Sequence, residues 1–196
     1  LDLSAFYFDI KKDTLYCDDI KSSKRQICIN LLGLILDMLL KWFAPILSFT
    51  TEEIFKILNK DKNSSIHLEA FPTIPSKWKN EKLFQKWDKL QIVRNVANAA
   101  IEVKRSNKEI GSSLEADITI YLNEEYLQYI KGVNLSEYTI TSKAAAQPMI
   151  KDDKLFKLDN VDNVGVLVKK AEGEKCSRCW KILENPCERE NCGLKN

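Results

Sequence analysis

Gly173–Gly193 reads GEKCSRCWKILENPCERENCG and holds four of the six cysteines: Cys176, Cys179, Cys187 and Cys192. The spacing is C-x2-C, seven residues, then C-x4-C. Thiolates are soft ligands, and four of them arranged tetrahedrally suit one structural zinc ion. A two-residue gap lets one tight turn present both sulfurs to a single metal. Lys175, Arg178 and Lys181 stand beside these thiols, where they are expected to lower the thiol pKa values and offset the charge of a four-thiolate site. Three other readings of the same residues compete. A disulfide pair needs an oxidising compartment, and nothing indicates secretion. A redox C-x-x-C belongs after a strand at the head of a helix, not beside a second Cys pair. Unrelated structural cysteines are a poor account of this density. The C-x4-C gap of Cys187 and Cys192 is the wider of the two. Few apolar residues (Trp180, Ile182, Leu183) support the tail, so a metal would supply most of its folding energy. Cys17 and Cys28 stand far off in sequence and are read as small buried apolar residues.

Trp180 and Arg178 sit within or beside this turn. A Trp there can stack on a nucleobase, and an Arg can pair with a phosphate or a base edge; the competing reading has Trp180 simply cover the metal site. No catalytic constellation accompanies them. His67 is the single histidine, so no His relay can be built. There is no Gly-rich phosphate loop. The adjacent carboxylates Asp18-Asp19, Glu124-Glu125 and Asp152-Asp153 read as solvated surface, because sequence neighbours do not face one another on a helix.

The elements that must position these residues fall in three stretches. Lys24–Phe43 is apolar on nearly all sides, as a helix buried among other helices is, and Pro45 ends or kinks it. Thr50-Thr51-Glu52-Glu53 has the capping-box form and predicts a helix over Thr51–Asn59. A connector with Pro72 and Pro75 follows. A long helix is predicted over Glu81–Asn107, with apolar residues at three- and four-residue intervals, a basic tail and Gly111 closing it. The period then changes. Ala116–Leu122 alternates as a half-buried strand, Glu124–Lys131 suits a short helix, and Tyr138–Thr141 and Val164–Val168 read as further strands.

Composition bounds the remaining choices. The 196 residues are 44% hydrophobic and 30% charged, with 30 basic against 28 acidic groups and a net charge of +2. That excludes a strongly basic nucleic-acid coat and an acidic solvating tail. Charge is balanced over residues 1–60, basic over 61–110, acidic over 111–168 and basic again over 169–196. Leu1–Ile10 has no basic n-region of a signal peptide. The apolar stretch Ile27–Leu40, interrupted by Asn30, Gly33 and Asp37, is expected to be too short and broken to span a bilayer. A soluble protein outside the membrane is expected.

Several segments together resemble one family. LDLSAFYFDIKKDTLYCD (Leu1–Asp18), FAPILSFTTEEIF (Phe43–Phe55), the Trp87–Ile118 stretch ending in KEIGSSLEADI, and EKCSRCW (Glu174–Trp180) resemble the C-terminal part of bacterial isoleucyl-tRNA synthetases. The first three blocks are also similar to other class I synthetases; the last points to the isoleucine branch. The resemblance implies a multi-module α and α+β chain. Residues 1–78 would be the C-terminal part of a helical-bundle anticodon-binding domain with its connector, 79–170 a small α+β junction domain, and 171–196 a four-cysteine zinc knuckle. It implies one structural zinc on Cys176, Cys179, Cys187 and Cys192, with Arg178 and Trp180 contacting tRNA(Ile). It further implies a cytoplasmic monomer whose full-length enzyme charges tRNA(Ile) with isoleucine, using ATP. That catalytic core is absent from these residues. One histidine cannot form its two-histidine signature, and the Lys-Met-Ser-Lys-Ser loop is missing, since Met38 precedes Leu39 and Met149 precedes Ile150. A free-standing zinc-dependent module for nucleic acid or protein is the alternative.

Overall fold

The computed structural model describes residues 2–59, 63–185, 187 and 189. The chain forms two compact units: Leu1–Asp19 with Glu81–Asn196, and Ile20–Asn80.

The second unit is helical. Helix α2 (Ser23–Phe43) starts where the Ser22 hydroxyl accepts from the Arg25 amide, the usual N-cap arrangement. It runs unbroken through Asn30, Gly33 and Asp37, as a helix over Lys24–Phe43 must, and those residues do not make it too short or too broken for a span. By length and composition α2 is long and apolar enough to cross a membrane. Asp37 pairs with Lys41 at 3.1 Å, and Lys41 also reaches Glu69 at 3.4 Å. Helix α3 (Ser48–Leu58) begins a turn earlier than the capping-box pattern predicts. The turn after Pro45 makes Leu47 the cap: its carbonyl takes both the Thr51 amide at 2.9 Å and the Thr51 hydroxyl at 3.0 Å. Glu52 instead accepts from the Ser65 hydroxyl and the Ile66 amide, at 2.9 Å each. The core of this unit is Leu40, Ala44, Phe55 and Ile66, with Ile54 against it.

The first unit holds the sheet. A π-helical segment, Asp2–Phe8, leads into α1 (Asp9–Cys17). After the second unit, α4 (Glu81–Ser106) runs as its spacing predicts. Its end does not use Gly111. The Glu109 amide reaches back to the Lys104 carbonyl and the Lys108 amide to Arg105, with Lys108 left-handed at φ 59°. This is a Schellman closure with Lys in the place Gly usually takes. Strand β1 (Ala116–Leu122) alternates buried and half-buried residues. Helices α5 (Glu124–Tyr129) and α6 (Leu135–Tyr138) carry the chain over to β2 (Lys143–Pro148), and β3 (Phe156–Leu158) and β4 (Val161–Lys170) follow. The sheet order is β2-β1-β4-β3, with β1 parallel to β2 and antiparallel to β4. Val93, Val96, Ala97, Ala100 and Ile101 of α4 pack on Ile118, Ile120, Leu122, Val164, Val166 and Val168.

The strand expected at Tyr138–Thr141 is a helix end and a turn. Asn134 caps α6 by accepting from the Glu137 amide, and Ile140 turns the chain at φ 56°. The Thr139 and Thr141 hydroxyls lie 3.0 Å apart and reach the Leu135 and Lys143 carbonyls. Side-chain bonds to backbone of this kind compete with strand pairing. On the other side of α6, Ile10 and Phe6 from the chain start pack with Leu90 and Tyr138. Buried Arg94 donates from Nε to the Tyr138 carbonyl at 3.0 Å and lies over the Phe6 ring. The α1 segment is thereby seated on the sheet unit. The tail follows β4 as a two-stranded ribbon, β5 (Glu174–Lys175) paired with β6 (Ile182–Leu183).

Candidate metal centre

The ribbon is closed by two close approaches. Cys176 and Lys181 face each other across its end, with the Cys176 amide donating to the Lys181 carbonyl and the Trp180 amide donating to Cys176, both at 2.9 Å. Between them Cys176-Ser-Arg-Cys179 makes the tight turn. At the base, Gly173 has φ 120°, and a Cβ there would stand 2.2 Å from the Leu183 carbonyl oxygen. Only glycine permits that approach. β6 then leads the chain back to Cys187.

The result is a cluster of three buried thiols. The sulfurs of Cys176, Cys179 and Cys187 all lie within 4.8 Å of one another. Sulfurs around a tetrahedral zinc with bonds of about 2.3 Å stand about 3.8 Å apart, so the donor set and its spacing fit that metal. Cys192, the fourth ligand expected from the sequence, lies outside the described residues. None of the five described cysteines is joined in a disulfide, which does not favour the disulfide alternative. Cys176 and Cys179 sit on a ribbon turn and not at the head of a helix, which leaves the redox alternative without its usual setting.

Electrostatics agree with a cation at this point. Burial pushes the Cys179 thiol up to about 11; a bond from the Lys181 backbone opposes this, while Cys176 and Cys187 push it further. Arg178 and Lys181 do not lower it as the sequence suggested, because both are turned toward α1. The Arg178 guanidinium donates from Nη2 to the Tyr16 carbonyl at 2.9 Å, and Lys181 lies 3.8 Å from Asp13. A positive ion bound among the three sulfurs would oppose that rise at Cys179 by favouring its thiolate.

Several residues at this site carried no sequence signal. Cys17, read as a remote core thiol, is buried against Cys176, Cys179 and Cys187, with its sulfur donating to the Arg178 carbonyl at 3.9 Å. Arg189 forks onto Asp13 at 2.7 and 2.6 Å and places Nε 3.2 Å from Asp18. Their separations of 161 and 176 residues exceed any local pattern. A cleft of about 370 Å³ lies between α1 and the turn, with Ile10, Tyr16, Ile140, Arg178 and Trp180 among its walls. Trp180 is 61% exposed and left-handed at φ 62°, a conformation rare for a bulky residue. Both residues expected to face RNA thus stand on the rim of one cleft beside the cysteine cluster. His67 lies elsewhere, in the short turn Ile66–Leu68 of the second unit.

Known proteins resemble the chain along nearly its whole length. Isoleucine–tRNA ligase of Pelagibacter ubique is 48% identical over 97% of the chain, covering 20% of that protein. Those of Rhodopseudomonas palustris and Bartonella henselae are 42% and 38% identical, each over 94% of the chain and 19% of the relative. The chain therefore spans about a fifth of the length of these curated relatives. The family described as the anticodon-binding domain of tRNA ligase matches residues 1–120, from the π-helical start through α4 to β1. By that match, which takes in more than half of its residues, the chain belongs to the anticodon-binding domains of tRNA ligases.

Proposed function

We propose that this chain is the tRNA-binding part of an isoleucine–tRNA ligase, holding the anticodon stem-loop of tRNA(Ile) while the full enzyme charges it with isoleucine at the expense of ATP. Cys176, Cys179, Cys187 and Cys192 hold one structural zinc, which fixes the backbone of the turn. The reading is of a cytoplasmic monomer, in keeping with the free thiols.

The observation that carries this reading is Trp180: a large aromatic, mostly exposed, held in a strained conformation by a metal-ready turn. Strain of this kind persists where the surroundings over-determine it, and it clusters at binding sites. A residue that only covered the metal would be buried. Trp180 offers a stacking face for an unpaired base. Arg178, whose Nη2 is spent on the Tyr16 carbonyl, works first by holding Tyr16 and Trp180 on the rim of the same cleft. Beyond it, a groove of about 640 Å³ is lined by Lys143, Lys169, Lys170, Lys181 and Arg189 together with Asp117, Glu172 and Glu184, so phosphate contact there is of mixed charge and modest.

The test is binding of tRNA(Ile) and tRNA(Val) to the zinc-loaded chain at several salt concentrations. Preference for tRNA(Ile) is expected. Trp180→Ala should weaken it by about tenfold or more, the worth of one stacked base, with zinc content unchanged. Equal binding of both tRNAs would overturn the isoleucine reading. Loss of zinc from Trp180→Ala would make Trp180 a cover for the metal. Binding of DNA or protein in place of tRNA would favour the free-standing module.

A further inference from the structure

We propose that Arg189, with Asp13 and Asp18, is a positioning clamp through which the metal centre holds the last turn of α1, so that the metal sets one wall of the RNA-facing cleft from the far end of the chain. The proposal rests on the tRNA-binding reading for its functional consequence and on geometry alone for the clamp.

Three of the five cations of the tail are interleaved with its candidate metal ligands. Arg178 lies between Cys176 and Cys179, Lys181 two residues after Cys179, and Arg189 two residues after Cys187. All three reach one place, the C-terminal turn of α1. Arg178 takes the Tyr16 carbonyl, Lys181 approaches Asp13, and Arg189 takes Asp13 with both Nη atoms and Asp18 with Nε. The last turn of α1 has no basic residue of its own. Helix C-terminal carbonyls carry partial negative charge and lack intrahelical donors, so the tail supplies the compensation that α1 lacks. The side chains of Asp13, Asp18 and Arg189 are only 22%, 13% and 27% exposed. A forked Arg–carboxylate pair at that depth fixes direction as well as distance.

The two partners differ in what holds them. Phe6 and Ile10 seat α1 on Leu90 and Tyr138. Among the described residues the tail's buried cluster is three cysteines, with Leu183 and the Cys17 of α1 against them. Such a cluster cannot keep Arg189 in place unless a metal joins its ligands. Metal binding therefore places Arg189, and Arg189 registers the tail on α1. Tyr16 on α1 and Trp180 on the turn wall one cleft, and Arg189 adds to Arg178 and Cys17 in keeping those two walls in register. Arg189 and Asp13 need not touch RNA to affect its binding.

The test compares the zinc-loaded chain, the chelator-stripped chain, and the Arg189→Ala, Arg189→Lys and Asp13→Asn variants. Zinc content, amide hydrogen exchange of α1 and tRNA(Ile) affinity are read for each. Stripping the metal should speed exchange in the last turn of α1 as well as in the tail. Arg189→Ala should do the same to α1 while keeping one zinc, and should weaken tRNA binding about tenfold, as removing the Trp180 stacking face does. Arg189→Lys, which keeps the charge but loses the fork, should recover part of both effects. Unchanged α1 exchange in Arg189→Ala would overturn the clamp. Loss of zinc in Arg189→Ala would also overturn it, making Arg189 a support of the metal site. Faster α1 exchange with tRNA affinity unchanged, in a chain where Trp180→Ala does weaken binding, would overturn the link to RNA. If Trp180→Ala leaves tRNA affinity unchanged as well, the tRNA reading is what has failed, and the exchange result still decides the clamp.

Discussion

At the scale of single residues the chemistry is proton against metal. Cys176, Cys179 and Cys187 crowd their sulfurs within 4.8 Å, and burial pushes the Cys179 thiol up to about 11. In the metal-free chain this thiol is protonated at neutral pH, so zinc must displace its proton to bind. The apparent affinity should therefore fall as pH falls, by up to about tenfold per pH unit for each proton displaced. Competition with a chromophoric chelator between pH 8 and pH 6 measures this, and a pH-independent affinity would sink the thiolate site. Asp13 behaves in the opposite sense. Burial acts to raise its pKa, but the Arg189 fork and Lys181 outweigh burial and hold the carboxyl below its ordinary value of 3.8. A group depressed on folding lends stability above its unfolded pKa and loses it as pH falls through the folded one. On acidification the metal should leave first, with Asp13 still charged. Cys176, Cys179 and Cys187 were legible in the sequence because they fall within a short stretch of chain. Cys17, Asp13 and Asp18 were not, because their roles come from a tertiary meeting with residues at the other end of the chain.

At the scale of elements the ribbon β5–β6 depends on one backbone crossing. A methyl group at Gly173 would meet the Leu183 carbonyl oxygen at 2.2 Å and the Glu184 amide nitrogen at 2.8 Å, at a φ of 120° that side chains rarely adopt. Gly173→Ala should part the ribbon and separate Cys176 from Cys187. Zinc affinity is expected to drop at least about tenfold, by the free-energy scale of backbone strain. The far-UV circular dichroism should barely change, because α4 and the four-stranded sheet share a separate core. Retained zinc affinity would show that the ribbon does not set the site. Elements that bury one face were readable from the sequence: α4 by its three- and four-residue spacing, β1 and β4 by alternation. β2 was not, since Lys-Ala-Ala-Ala-Gln-Pro on a sheet edge has no apolar contrast to alternate. The alternation at Tyr138–Thr141 was present in sequence, but its threonine hydroxyls close a turn. In α3 the apparent capping box makes no side-chain cap bond, and Glu52, the residue before its acidic end Glu53, serves the connector at Ser65 and Ile66.

At the scale of the whole molecule the two units differ in how far they bury themselves. The sheet unit encloses a continuous core between α4 and its strands. Among the described residues the core cluster of the Ile20–Asn80 unit is four side chains, and of the 21 residues of α2 only Cys28 and Leu40 are buried. Ile27, Ile46, Phe49, Ile57 and Leu68 are all more than two-thirds exposed. Apolar patches of that extent on soluble proteins mark surface that other protein covers. The 196 residues alone should then present that face to solvent. They should bind an apolar-surface dye and self-associate as concentration rises, as followed by sedimentation velocity. Chelating the metal or making Cys176→Ser should leave that association in place, because no cysteine of the tail belongs to the α2–α3 core. Flotation with neutral lipid vesicles separates the other reading of α2: a chain that stays behind has a protein-binding face, and one that floats has a membrane-seeking helix. A chain that stays monodisperse at about 100 μM without binding dye, in the range where self-association of exposed patches is seen, would show that this face is not an interface at all.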